Sequence, residues 1–215
     1  MPITITSVQI GRVLTEGNPE TSDATERQWT TAFYKSPVSQ SLQMGSLGLA
    51  GDTVADVRHH GGLDKAVLCY AASHYPDWNR EFPELKMGPG AFGENLTIAE
   101  ADETSVCIGD QFQIGECQVE VSQPRQPCWK IARRWGIKML TKAVAQTGRT
   151  GWYIRVQQAG LIQAGQQMLL LNRPHPDWSV ARANDVMFGR ESDRLAVIEL
   201  MNLSELADAW RSGIA

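Results

Sequence analysis

Along roughly the first 170 residues, apolar positions alternate or gather in short spans separated by glycine-rich turns. "ITITSVQI" (3–10) alternates, and "DKAVLCYA" (64–71) contains a compact apolar run. "SVCIGDQFQIGECQVEVSQP" (105–124) holds three strand-like pieces broken at Gly-Asp and Gly-Glu, and "GWYIRVQQAG" (151–160) and "GQQMLLLN" (165–172) continue the theme. Many short strands with turns this frequent predict a β-barrel or sandwich. Two segments interrupt it with helical spacing. "SHYPDWNREF" (73–82) is one. "CWKIARRWGIKMLTKAVAQTG" (128–148) reads as one or two helices ending at Gly148, a C-cap residue type.

After "NRPHPD" (172–177) the period changes. "WSVARANDVMF", "SDRLAVIELMN" and "LSELADAWRSG" each place apolar residues three or four apart, with Ser192 and Ser204 as expected N-caps and Gly189 and Gly213 as expected stops. The expected organisation is a mainly β body over 1–172 followed by a three-helix extension over 176–215.

Composition narrows the function classes. With 215 residues, 42% hydrophobic and 20% charged, the chain can bury a full core as an ordinary globular protein. A formal charge of −4 disfavours a general nucleic-acid binder. The start, "MPITITSVQIGRVL", lacks a secretory pattern, and no apolar run approaches the ~18 residues needed to span a membrane, so a cytoplasmic protein is expected. Four cysteines (69, 107, 117, 128) without C-x-x-C spacing make neither a disulfide framework nor, with four scattered histidines, a conventional zinc site.

Cys69, Cys107 and Cys117 sit in strand-like contexts and are expected to be buried small hydrophobes. Cys128 differs, standing behind "SQPRQP" and ahead of a helical run. Pro127 suits the first turn of a helix, which puts the sulfur at the positive end of the helix dipole. Arg125, Lys130, Arg133 and Arg134 are close in sequence, and both factors favour a thiolate. The residues alone leave two readings, a reactive or metal-binding thiolate and a structural turn cysteine. "DVRHHGGLDKAV" (56–67) surrounds a Gly-Gly pair with Arg58, His59, His60 and Lys65, which makes either an anion site or a glycine loop with solvated histidines. In "GAFGENLTI" (90–98), Asn95 could pair with a heterocycle or bond its own turn. "FYKSPV" (33–38) and "LGLAGD" (47–52) read as loops.

Taken in order and spacing, "FYKSPV", "HHGGLDKAV", "FGENL", "SQPRQPC" and "TGRTGWY" resemble the MOSC domain, the C-terminal domain of molybdenum cofactor sulfurases. The likeness covers essentially the whole chain and is greatest to the bacterial YiiM-like branch, including its terminal three-helix extension. It implies a strand-rich MOSC-type β-barrel that holds molybdenum cofactor, a pterin with a phosphate and a dithiolene. Cys128 matches the family's molybdenum ligand, the dithiolene supplying the other sulfurs. Lys35, Arg58, His60, Lys65, Asn95 and Arg125 match loops that would hold the cofactor, His60 being favoured over His59 because it directly precedes Gly-Gly.

The likeness further implies reduction of N-hydroxylated compounds such as hydroxylaminopurines or amidoximes. No iron–sulfur cysteine array and no G-x-G-x-x-G fingerprint is present, so electrons are expected from a separate flavoprotein or iron–sulfur protein. A cysteine desulfurase half is not visible, so pyridoxal phosphate is not expected. The alternative is a carrier that holds molybdenum cofactor, or sulfur on Cys128, for another enzyme. A cofactor-free thiol enzyme using Cys128 and His60 lacks a third residue to orient a base. Homodimerisation is compatible with all of these readings.

Overall fold

In a computed structural model of the chain, residues 2–23 and 26–214 are described, leaving 1, 24, 25 and 215 outside the description. The chain starts with β1 (Thr4–Ile10), β2 (Leu14–Glu16), β3 (Trp29–Thr31), β4 (Ser36–Pro37), β5 (Leu42–Gly45) and β6 (Gly48–Leu49). A 3₁₀ turn (Leu63–Lys65) leads into β7 (Val67–Ala71), α1 (His74–Glu81), β8 (Leu96–Ala99), β9 (Gln111–Ile114) and β10 (Cys117–Pro124). Then come α2 (Lys130–Trp135), α3 (Leu140–Thr147), β11 (Trp152–Gln158), β12 (Gly160–Ile162) and β13 (Leu169–Asn172). Helices α4 (Val180–Met187), α5 (Arg194–Met201) and α6 (Asp208–Arg211) end the chain.

Eight strands form one curled sheet in the order β13-β9-β10-β11-β7-β8-β1-β4, and β12-β5-β6 form a smaller one. The large sheet is a half-barrel whose open side is drawn together at its end. Gly165 and Met168 N–H donate to the carbonyls of Ile5 and Ile3, and Thr4 bridges Gln167. Strand periodicity explains the burial. β7 is buried at all five positions and pairs in parallel with β8, as continuous apolar runs do when covered on both faces. β9 alternates half-buried and buried residues, with Phe112 and Ile114 inward. Val119, Val121, Leu96, Ile98, Ile154 and Trp152 belong to the same core, each large aliphatic side chain stabilising the fold by about 1.5–3 kcal/mol.

The C-terminal helices share that core. Trp178, Val180, Ala183, Leu200, Leu206 and Trp210 belong to the same apolar cluster as the strands. The lead-in also replaces an expected strand. Residues 105–108 form no strand but make one bridge, Cys107 to Ser179, flanked by Ile108 N–H donating to Trp178 and Val180 N–H to Val106.

Several expected boundaries move. Ser192 and Ser204 cap nothing. α4 is capped by Ser179, whose hydroxyl accepts from Arg182 N–H, and α5 by Asp193, whose carboxylate accepts from Leu195 N–H. α6 begins only at Asp208; Ala207, extended at its N-cap, donates its N–H to the Ser122 carbonyl of β10. Asp193→Ala is expected to cost about 1 kcal/mol and Ser192→Ala less than about 0.5 kcal/mol, read from urea unfolding midpoints. Equal losses would remove the assignment of the cap.

The segment after Cys128 breaks into two helices. Gly136 takes the left-handed conformation (φ 69°) and its N–H returns to Ala132, ending α2 after six residues. Gly148 caps α3 in the same way, as the sequence predicts. α2 starts at Lys130 with Trp129 at its N-cap, so Pro127 is not in its first turn and Cys128 precedes the helix. The carbonyl of Cys128 is instead tied down by Ile131 N–H and by the Thr141 hydroxyl of α3 (3.2 Å).

Candidate functional site

A cavity of about 620 Å³ opens where β10 ends, the 53–66 loop crosses and the 33–35 and 92–95 turns meet. Of the seven residues singled out above, six line it: Lys35, His60, Lys65, Asn95, Arg125 and Cys128. Arg58 does not. Its side chain is exposed on the outer part of the loop, so the expectation that it joins the others is revised. His59 also turns outward, pairing with Asp56 at 3.1 Å, while His60 faces the cavity. Gly61 and Gly62 have φ of 75° and 85°, and a side chain at Gly62 would meet nothing within 4 Å, so backbone there is open to approach.

Two further lining residues were not among those expected to hold a ligand, although Lys130 was noted as a cation near Cys128 in sequence. Lys130 is buried in the wall, one residue into α2. Asp52 organises the opposite side. Its carboxylate accepts from Lys35 Nζ (2.5 and 2.6 Å), Gly11 N–H (2.7 Å) and Asn95 Nδ2 (2.8 Å). Burial lowers the Lys35 ammonium below its ordinary range, and Asp52 opposes that shift. Asp52 follows a glycine in a loop that reads as an ordinary turn, so no local pattern reveals it.

Asn95 is used differently from the expectation of a free amide edge. Its carbonyl accepts from Leu68 N–H and its amide donates to Gln9 and Asp52, so the side chain is consumed in fixing Asp52. Neighbouring Glu94, fully buried, accepts from the N–H groups of Gly90 and Phe92 and from the Tyr75 hydroxyl, which locks the turn carrying Gly93.

Arg125 is 3% exposed, yet among the described residues its guanidinium has one hydrogen bond, to the Phe92 carbonyl at a long 3.4 Å, and its Nη1 has no partner. A buried guanidinium nitrogen left unpaired costs stability unless a ligand satisfies it. Lys130, Lys65 and His60 line the same cavity, and its one carboxylate, Asp52, is already committed to Lys35. His60 feels this field. Burial first, then the Lys130 and Arg125 cations, push its imidazole down to about 4, with Asp56 pulling the other way.

The sign of that shift sets a pH dependence. An unfolded histidine titrates near 6.5. Between that value and about 4 the unfolded chain binds the extra proton, so the contribution of His60 is present above 6.5 and is lost as pH falls toward 4. NMR titration of the His60 ring in the free protein is expected to give a midpoint near 4, and inorganic phosphate is expected to raise it by offsetting the two cations. A midpoint near 6.5 in the free protein, or no response to phosphate, would contradict this electrostatic account.

Cys128 is half-buried at the cavity wall, whereas Cys69, Cys107 and Cys117 are buried, with thiols pushed upward chiefly by desolvation. Among the described residues no three His, Cys, Asp or Glu side chains gather as a metal-binding group. A metal at Cys128 would need its remaining ligands from a bound group. The arrangement offers one soft thiol, an anion-seeking cationic wall and an apolar wall of Phe33, Leu49, Val54, Leu68 and Phe92.

The MOSC domain matches residues 56–169, which hold the Gly-Gly loop, Asn95, Arg125 and Cys128. The chain belongs to the MOSC family. Residues 178–212 match the YiiM-like 3-alpha helix domain. MOSC domains are associated with molybdenum cofactor binding. Protein YflK of Bacillus subtilis is 39% identical over 91% of this chain and 88% of its own length. The crystal structure of YiiM from Geobacillus stearothermophilus superposes with a TM-score of 0.81 at 30% identity, covering 99% of this chain and 97% of that one. A protein named Reductase from Gibberella moniliformis is 38% identical over 75% of this chain, and the match spans 29% of that longer protein. Among the described residues no helix is long and apolar enough to cross a membrane.

Proposed function

We propose that this MOSC protein is a molybdenum-cofactor-dependent reductase of N-hydroxylated compounds. The observation that carries the reading is the unpartnered, buried Nη1 of Arg125 in the cavity that also holds the Cys128 thiol. An anionic pterin fits that donor set, because its phosphate supplies the acceptors the cationic wall lacks and its dithiolene complements a single thiolate. Bound there, the cofactor would supply a two-electron metal centre capable of reductive N–O cleavage.

The chain's own residues have distinct tasks in this reading. Cys128 ligates the metal. Arg125, Lys130 and Lys65 neutralise the cofactor's negative charge, and the open backbone at Gly62 admits close approach. Asp52, fixed by Asn95 and Gly11, holds Lys35 at the cavity wall, where its ammonium can donate a hydrogen bond or a proton. Phe33, Phe92, Leu49 and Val54 give a substrate an apolar surface and keep water from the centre. Kinship with a protein named Reductase supports an oxidoreductase over a carrier.

The test is turnover of a hydroxylaminopurine by metal-loaded protein with chemically reduced viologen as electron source. Conversion to the aminopurine supports the reading. No conversion, together with transfer of the cofactor to a cofactor-free enzyme, would replace it with the carrier role.

A further inference from the structure

Residues 121–176 contain nine Lys and Arg and no Asp or Glu, within a chain whose formal net charge is −4. Three of the nine are neutralised by acids from elsewhere: Arg149 by Asp77 and Glu81, Arg155 by Asp64 and Glu120, Arg173 by Asp110. Arg125 and Lys130 line the cavity. The other four lie on the α2–α3 elbow. Arg133 donates to the Arg27 carbonyl, and Arg134 lies 4.4 and 4.5 Å from the ring centres of Tyr34 and Trp135. Lys138 and Lys142 are exposed, and neither enters an ion pair among the described residues. Two large apolar side chains stand out beside them, Trp129 at 58% and Met139 at 59% exposure.

The elbow is joined directly to Cys128. Trp129 follows it in sequence, and Thr141 donates its hydroxyl to the Cys128 carbonyl while accepting from Ala132 N–H. Lys138, Met139 and Lys142 all lie within three positions of Thr141. At the opposite end of this face Gly17 lies against the Arg133 guanidinium. The face thus combines exposed cations with exposed apolar side chains.

Resting on the reductase reading, we propose that the α2–α3 elbow is the docking face for an acidic electron-carrier protein that delivers electrons to the centre at Cys128. Reduction of R–NHOH breaks the N–O bond. It consumes two electrons and two protons and releases R–NH₂ and water, while the carrier is oxidised by two electrons in total. The chain carries no flavin or iron–sulfur fingerprint of its own, so those electrons enter from outside. A few exposed cations around an apolar spot suit the small, transient interfaces of redox encounters, in which complementary charge raises the association rate. A single exposed tryptophan is a poor platform for single-stranded nucleic acid, which is bound along grooves with successive stacking rings.

The test compares the metal-loaded protein with its Lys138→Glu/Lys142→Glu variant. Calorimetric binding to an acidic ferredoxin and to an acidic flavodoxin is measured at low and high salt. At low salt the wild type is expected to bind at least one of the two, and the variant at least about tenfold more weakly, with salt abolishing the difference. Viologen-driven turnover is expected to be equal in both proteins, and carrier-driven turnover reduced in the variant. Absence of binding to both carriers, or equal affinity of the two proteins, overturns the docking proposal. So does an oligonucleotide affinity that depends on these lysines where carrier binding does not. Loss of viologen-driven turnover in both proteins with carrier binding intact overturns only the substrate reading.

Discussion

Replacing Cys128 with alanine is expected to lower molybdenum retention at least about 100-fold and turnover below about 1% of wild type, since even indirect supports of a ligand matter 10–100-fold. Metal content per chain, measured by mass spectrometry, reads the first effect and aminopurine formation the second. The fold should survive. The bonds that fix this position use the Cys128 carbonyl, which alanine keeps, and the side chain is only half-buried. Cys69→Ala is the matched control. That thiol is fully buried among core strands and pushed upward by desolvation, so turnover per folded molecule should be unchanged. Wild-type activity in the Cys128→Ala protein would sink both the reductase and the carrier readings.

Arg125→Met is expected to act with opposite signs on stability and binding. In the free protein the guanidinium is buried with Nη1 unsatisfied, and a similarly sized apolar side chain removes that cost. A gain of about 1 kcal/mol or more follows, worth roughly 2–4 °C in melting temperature for a chain of this size. Anion binding moves the other way. Loss of a buried charged donor weakens it by about 2–5 kcal/mol, roughly 30-fold or more, measurable by calorimetry with inorganic phosphate and with the cofactor itself. A variant that is destabilised while keeping phosphate affinity would make Arg125 a structural residue. Read with the His60 titration, the pair of measurements separates the field of the cavity from its contacts, because His60 responds to Arg125 and Lys130 at a distance.

Much of this was legible in the sequence because it depended on local chemistry. Alternation and turn glycines dictate short strands regardless of partner. Gly148 stops α3 because a residue without Cβ takes the left-handed conformation at little cost. The placement of Cys128 after "SQPRQP" and of His60 before Gly-Gly marked two residues that lie 68 positions apart and meet in one cavity. The helix start was misjudged by local reasoning. Pro127 is suited to a first turn, but the Cys128 carbonyl is held by a local bond from Ile131 N–H and a bond from the Thr141 hydroxyl of α3, and the helix begins two residues after Cys128.

What the sequence determined by itself is the succession of elements, the burial of Cys69, Cys107 and Cys117, and the set of loops bearing chemistry. The tertiary structure decided how those loops are divided between work and support. It turned His59 and Arg58 outward, divided the amide of Asn95 among Leu68, Gln9 and Asp52, and left one nitrogen of Arg125 without a partner among the described residues. Hydrogen-bond capacity is finite and is consumed by whichever groups the fold brings within about 3 Å. A residue's type states what it can donate or accept; only its neighbours from distant segments determine what it has left to offer a ligand.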